Sequence, residues 1–319
     1  MRRWLVFALA SLPAQALADF SDPKPAAEPL PPFAAADYVD HEGHSRFFLT
    51  TRWGLGEQDS VWDFEFMFAV QLARGIALTG VVPGGFDSPR DAASVKNREA
   101  SFFVGNLTLG VEGGDEVQLV KEWDGLGPPT LHLGGALDLY GPTSPKRDGS
   151  CPLAATVPCE AVVEVLKLRP MAPGLFLNQT AAFRARLHVG FDVERFAAAV
   201  ELGLTPAWPL ERGTSAYVFL SLGARLRYLI SDWLEPYVEL ATSTLLSDPK
   251  PGRFAEGPLY LTPGARLHAS NGASVGAFVM IPMAGDSVAP FVVGLDIAGV
   301  LRRMTRKIPG HEEFLERGI

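Results

Sequence analysis

The residues best suited to chemistry in this chain are arginines and carboxylates that occupy alternate positions of successive segments. Between residues 184 and 266 their sign changes from one segment to the next: Arg184 and Arg186, then Glu201, then Arg225 and Arg227, then Glu235 and Glu239, then Arg266. Carboxylates occupy similar positions in other segments, at Asp63, Glu65, Glu112, Asp138 and Asp296. If the segments are neighbouring β-strands about 4.8 Å apart, arginines and glutamates can form ion pairs between them. A basic wall facing an acidic wall would in addition create a transverse field acting on charged solutes.

A histidine and a serine two residues apart form a second candidate site. In the stretch His268-Ala269-Ser270-Asn271-Gly272, the imidazole could activate the hydroxyl for acyl transfer. This short stretch resembles the nucleophile region of outer-membrane phospholipases and lipid A deacylases. Asn-Gly is also the preferred two-residue hairpin turn, which favours a structural role. Alternation places His268 and Ser270 on the polar side, whereas a lipid hydrolase must present its serine to lipid.

The composition excludes several other functions. Lys and Arg number 28 against 36 Asp and Glu, which gives a net charge of −8, and the chain has no basic run. Nucleic-acid binding needs clustered positive charge, so we expect no nucleic-acid partner. The chain contains no P-loop, dinucleotide fingerprint, G-x-S-x-G motif or zinc-ligand pattern. We therefore predict no cofactor and no metal site.

The segments that carry the charges alternate between polar and apolar residues, which is typical of β-strands. In residues 62–72, Asp63 and Glu65 lie on one face, and the other face carries large apolar side chains: Trp62, Phe64, Phe66, Phe68, Val70 and Leu72. About twelve such segments are predicted as strands. They cover roughly 46–55, 61–73, 76–85, 101–112, 130–142, 180–193, 195–206, 215–229, 234–246, 258–269, 275–284 and 288–301.

Three features favour a membrane-spanning barrel over a soluble sandwich. The strands are long enough to cross a bilayer at a tilt, which takes about 9–11 residues. Their connections alternate between short turns and longer loops, as in bacterial membrane barrels. An even number of antiparallel strands can close into a ring, which leaves no backbone polar group unpaired in lipid. We therefore predict an all-β fold, namely a single antiparallel, up-and-down transmembrane β-barrel over residues 46–301.

The segments that flank the barrel have their own signatures. Residues 1–18 have two arginines, a short apolar core and an A-x-A site, which predicts a cleaved signal peptide. Residues 19–45 are rich in Pro and Ala and are predicted to form an extended periplasmic tether. Residues 302–319 follow the last strand as a charged tail. Tryptophans near strand ends, such as Trp53 and Trp233, suit the membrane interfaces.

Two connections differ from the simple pattern. The region 113–129 is long for a turn, so either the adjoining strands extend through Val117 to Trp123 or the strand count differs there. The loop 143–179 contains Cys151 and Cys159, which we predict to form a disulfide in an oxidising compartment. This loop could cap the mouth of the barrel or fold inward as a constriction. We expect a surface loop with a structural bridge.

The export signal, the alternating strands and the turn pattern together resemble a Gram-negative outer-membrane β-barrel of the porin-like kind. The resemblance covers about residues 46–301 and rests on no diagnostic motif; the tail after the last strand departs from the usual terminal aromatic. It implies a location in the outer membrane, contact with outer-membrane lipid and passage of small solutes. The residues expected to line the lumen are Asp63, Glu65, Asp138, Arg184, Arg186, Glu201, Arg225, Arg227, Glu239, Arg266 and Asp296. The alternatives are an acyl hydrolase that uses Ser270 and His268, and a closed structural or surface-recognition barrel.

Overall fold

The computed structural model describes the barrel region of the chain. The described residues are 45–55, 59–73, 76–89, 101–119, 129–144, 168–177, 179–210, 216–246, 258–269, 273–285 and 289–301. The predicted signal peptide, the tether up to residue 44, Cys151, Cys159, Ser270 and the tail all lie outside these ranges. No helix within these ranges is long and apolar enough to span a membrane.

The strands form one closed antiparallel ring. They are β1 (Ser45–Leu55), β2 (Asp59–Ala73), β3 (Ile76–Pro89), β4 (Ser101–Val104), β5 (Thr108–Gln118), β6 (Thr130–Tyr140), β7 (Thr180–Val193), β8 (Phe196–Pro209), β9 (Tyr217–Tyr228), β10 (Leu234–Leu245), β11 (Leu259–His268), β12 (Ser274–Ala284) and β13 (Val292–Leu301). The ring closes because β1 pairs with both β2 and β13. Since β4 and β5 both pair with β3, they share one position, and the ring has twelve positions. The predicted up-and-down β-barrel is therefore confirmed.

The strand ends differ from the sequence expectation in the region that was hardest to assign. β5 continues to Gln118, which lies opposite Thr130 of β6. The strand extension that we considered for residues 113–129 is thus present as far as Gln118, and residues 120–128 lie outside the described ranges. β3 and β8 also run further than predicted, to Pro89 and Pro209.

The ring position shared by β4 and β5 is interrupted at residues 105–107. There the backbone N–H of Asn106 donates a hydrogen bond to the carbonyl of Leu175, 2.6 Å away, which belongs to a segment inside the barrel. An ideal Cβ on Gly105 would lie 2.4 Å from the same carbonyl oxygen, so only glycine allows this close approach. The strand is broken because an inner segment bonds to its backbone at this point.

The outer face of the ring is apolar along its whole circumference. Side chains that remain more than two-fifths exposed include Leu109, Leu133, Leu137, Leu187, Val200, Leu222, Leu240, Val293 and Leu295. Trp53 and Trp208 are exposed near one end of the barrel, and Tyr228 and Trp233 near the other. An apolar band with aromatic side chains at both edges is the surface that a barrel presents to a bilayer. The predicted outward direction of the apolar face is confirmed.

The interior divides into two zones. The charged zone consists of inward-pointing strand residues: Arg46, Arg52, Asp63, Glu65, Glu112, Asp138, Arg184, Arg186, Glu201, Arg225, Arg227, Glu235, Glu239, Arg266 and Asp296. The apolar zone lies towards the end that carries the loop 143–179. It contains Val61, Tyr140, Phe219, Tyr260, Met280 and Val292, packed against residues 168–177, which we call the inner segment.

Candidate functional site

The alternation of side chains along each strand determines where every predicted lumen residue lies. Because successive side chains of a strand point to opposite faces, the outward direction of the leucines turns the intervening charges inward. All eleven residues expected in the lumen lie on the inner face, and Asp63, Glu201, Arg266 and Asp296 are fully buried. Burial of this many charges requires partners, since an isolated charge out of water is very costly.

Ion pairs between adjacent strands provide partners for some of these buried charges. Arg184 donates a hydrogen bond to Glu201 on the neighbouring strand, and Arg186 lies 3.7 Å from the same carboxylate. Further along the ring, Arg225 is 3.0 Å from Glu239 and Arg227 is 3.5 Å from Glu235. Pairing between strands of alternating sign is therefore present in the structure.

Other ion pairs connect strands that are not neighbours. Arg266 lies opposite Glu235 in the strand register, yet its guanidinium donates to Asp296, with Nε 3.1 Å from Oδ1. The strand between them carries Gly276 at this point, where a Cβ would lie 2.5 Å from the Asp296 carboxylate. Arg46 of β1 likewise forms an ion pair with Glu112 of β5, although β2 and β3 lie between these two strands. The charged zone is thus a network rather than a row of separate pairs.

Arginines interrupt the predicted acidic wall, and the transverse field itself stays a prediction. The carboxylates assigned to an acidic wall each have an arginine beside them: Asp138 lies 2.8 Å from Arg186, and Asp63 lies 3.6 Å from Arg52. Glu112 and Asp296 are likewise paired, as described above. Opposite signs therefore meet at short range on both sides of the described barrel wall.

The inner segment fills the loop side of the barrel. Leu168 and Phe176 are 0% exposed and Leu177 is 1% exposed, and residues 173–176 form a short 3-10 helix. The favoured expectation of a surface loop is therefore wrong for this part of 143–179, and the inward-folding alternative is the correct one. The apolar run Leu175-Phe176-Leu177 is the signal in the sequence, because an exposed loop would not retain three adjacent large apolar residues.

Arg169 joins the inner segment to the charged zone. Its Nε donates to Oδ2 of Asp63 at 2.6 Å, and its Nη1 forms an ion pair with Glu65. Burial, followed by the nearby positive charge of Arg52, lowers the pKa of Arg169 to about 9, and Asp63 opposes this shift. The side chain therefore stays charged at neutral pH. Sequence analysis missed Arg169, because nothing in the alternation of the strands marks a loop arginine as a lumen residue.

Asn106 is the second attachment point of the inner segment. Its side-chain amide donates to the carbonyls of Gly174 and Leu177 at 2.9 and 2.8 Å, and its Oδ1 accepts from the backbone N–H of Ser144 at 3.0 Å. The residue is fully buried. One side chain in the gap between β4 and β5 thus satisfies three backbone groups of the loop 143–179.

A cavity with a volume of about 70 Å³, partly open to solvent, lies between the inner segment and the charged zone. Its charged lining comprises Arg52, Arg169, Arg184, Arg186, Glu65, Glu112, Asp138 and Glu239. Its apolar lining includes Phe48, Met67, Met171 and Met280. Four positive and four negative groups balance, so the cavity offers polar contacts to a solute without a net charge preference. Among the described residues, no group of three or more His, Cys, Asp or Glu side chains could hold a metal ion.

The position of His268 gives no support to a lipid hydrolase. Its Nε2 lies 3.5 Å from Glu235, inside the barrel at the end opposite the inner segment. The side chain is 12% exposed and points away from the apolar outer face. Ser270 lies outside the described residues, so the structure does not test the pairing of the two side chains.

Comparisons with solved structures identify the fold. An outer-membrane channel from Pseudomonas putida F1 matches 88% of this chain and 99% of its own length, with a TM-score of 0.50 and 14% sequence identity. The chain has the fold of an outer-membrane β-barrel. This fold and the apolar outer band confirm the predicted placement in the outer membrane.

Weaker matches include very different barrels. The β domain of the Bordetella autotransporter BrkA matches 81% of this chain and all of its own length, at 13% identity and a TM-score of 0.44. LpxR from Salmonella typhimurium matches 80% of this chain and 99% of its own length, at 10% identity and a TM-score of 0.38. No protein-family model and no curated protein matches the chain.

Proposed function

We propose that this protein is an outer-membrane channel for small solutes and that the inner segment controls the passage. The observation that carries the proposal is the charge-lined cavity directly beneath the inner segment. In this arrangement the charged zone supplies a polar path through the barrel, and residues 168–177 block it on the loop side.

The charged zone and the inner segment are held in place by different interactions. The charged residues belong to strands whose backbones are hydrogen-bonded on both sides, so they move only with the ring. The inner segment belongs to no strand, and its described attachments are the pairs of Arg169, the hydrogen bonds to Asn106 and apolar packing. Displacement of the segment would break these contacts and leave the ring intact.

The balanced lining also sets an expectation for selectivity. Once the inner segment and its Arg169 are displaced, three arginines and four carboxylates line the cavity, so cations gain only a weak advantage from the wall. We therefore propose weak discrimination by charge and stronger discrimination by size, since the inner segment leaves little free cross-section.

Planar-bilayer recordings test the proposal. Wild-type protein should show rare openings, and Arg169→Met should increase the open probability, because methionine keeps the apolar stem but cannot bind Asp63 and Glu65. Arg195→Met is the control, since Arg195 is exposed at the turn between β7 and β8 and has no described contact with the inner segment. Silent membranes for both the wild type and Arg169→Met would overturn the channel proposal.

A second function has structural support of its own. The inner segment packs with Leu168 and Phe176 fully buried, and this is what a permanently closed barrel would show. Such a protein would act as a structural or surface-recognition element. Absence of conductance together with an unchanged, well-folded barrel would favour it over the channel.

A further inference from the structure

We propose that Asp63 and Glu65 form a binding site for a solute with an alkylguanidinium group, and that Arg169 occupies this site as a tethered substitute. The inference deepens the proposed function, since it names a solute class whose binding would release the inner segment. It rests on the geometry of one arginine and two carboxylates.

The two carboxylates form a preorganised acceptor for a guanidinium group. They are two residues apart on β2, so both point inward on the same face. Asp63 is fully buried and Glu65 is 8% exposed. A planar guanidinium presents its N–H groups as a fork that fits carboxylates better than a compact ammonium does. Arg169 shows that one guanidinium reaches both carboxylates, since its Nε bonds to Asp63 and its Nη1 pairs with Glu65.

The tethered arginine does not use the full capacity of the site. Within the described part of the chain, Oδ1 of Asp63 and Nη2 of Arg169 are buried and have no hydrogen-bond partner. Buried polar atoms without partners are costly, and they mark a contact that is incomplete. A free guanidinium is not held by a chain on either side, so it can turn to use both oxygens of Asp63.

The surroundings fit the remainder of such a solute. Glu65 and Arg169 line the cavity together with Phe48 and Met67. A short alkyl group attached to the guanidinium would meet these apolar side chains, while the charged end replaces Arg169. Departure of Arg169 would then remove one of the attachments of the inner segment.

Binding of methylguanidinium to refolded protein in detergent tests the site directly. Arg169→Met should bind it at least about tenfold more tightly than the wild type, because a tethered competitor acts at an effective concentration in the millimolar range. The triple variant Asp63→Asn/Glu65→Gln/Arg169→Met should lose this binding. Titration calorimetry at constant ionic strength measures both. Equal binding by the single and triple variants would overturn the proposal.

A measurement on the wild type covers the case in which a variant does not refold. Methylguanidinium should accelerate hydrogen exchange of the amides of residues 168–177, whereas tetramethylammonium at the same concentration should not, because it has no N–H donors. Unchanged exchange with methylguanidinium would contradict the site. Binding without conductance would overturn only the channel, and conductance without binding would overturn only this site.

Discussion

The charged and apolar zones of the barrel interior are filled in different ways. In the charged zone the side chains that line the interior come from the strands themselves, with pairs such as Arg184 and Glu201 on adjacent strands. In the apolar zone the strands leave space that the inner segment occupies, with Leu168 and Phe176 fully buried. The charged zone is therefore part of the wall. The apolar zone also depends on the inner segment, which is attached to the wall but belongs to none of its strands.

This difference indicates that the charged zone determines the stability of the ring and that the apolar zone determines whether the inner segment stays docked. Loss of a wall charge leaves its partner buried and unpaired, which affects folding of the ring. Loss of a contact in the apolar zone affects docking of the inner segment, which the ring does not need in order to close. Variants in the charged zone should thus lower the unfolding free energy of the ring. Variants in the apolar zone should mainly change conductance.

The largest effect is expected from Glu201→Gln in the charged zone. The change leaves the buried guanidinium group of Arg184 with a neutral partner, whereas Arg186 keeps Asp138, and it should cost about 3–5 kcal/mol of unfolding free energy. Urea unfolding in lipid vesicles, followed by tryptophan fluorescence, measures this loss. Asp232→Asn at an exposed turn is the control and should leave the midpoint unchanged. Equal midpoints for the two variants would show that the charge network does not stabilise the wall.

A smaller effect on docking, with little effect on the ring, is expected from Phe176→Ala. Removing this fully buried ring should weaken docking of the inner segment by about 3 kcal/mol. Open probability in bilayers should rise, while the thermal melting of the strands by circular dichroism changes little. Phe196→Ala is a matched control, because Phe196 lies on the outer face. A melting temperature that falls as far as in Glu201→Gln would abolish the distinction between the zones.

The smallest of these effects is expected from Asn106→Ala. The substitution removes the hydrogen bonds to the carbonyls of Gly174 and Leu177, which should cost about 1–2 kcal/mol. Faster hydrogen exchange at residues 174–177 is the measurement. Thr205→Val serves as the control, because within the described structure the buried Thr205 hydroxyl has no hydrogen-bond partner to lose. Similar exchange in both variants would mean that Asn106 is not an attachment point.

Much of the wall could be predicted from the sequence because its signal is local. Alternation in 183–193 assigns Arg184 and Arg186 to one face without reference to any other strand. The inner segment could not be assigned in this way, since its position depends on space left inside a ring of twelve strands. Arg169 has no periodic neighbours that reveal its direction, and its partners lie 106 and 104 residues earlier in the chain.

The partners of individual charges also depended on the closed ring. Register and closure place Arg266 within reach of Asp296, although Glu235 lies opposite it on the adjacent strand. Ion pairs also connect the expected basic and acidic walls, as Arg266 with Asp296 and Arg186 with Asp138 show. Long arginine side chains take the nearest well-oriented carboxylate, whichever strand it belongs to.

The sequence by itself determined the all-β barrel, its outward apolar face and the inward direction of the charges, because the period of two acts within each strand. Only the tertiary structure decided which charges pair, where β4 and β5 separate, and that residues 168–177 enter the barrel. Those outcomes depend on the width and register of the closed ring, which no single segment encodes.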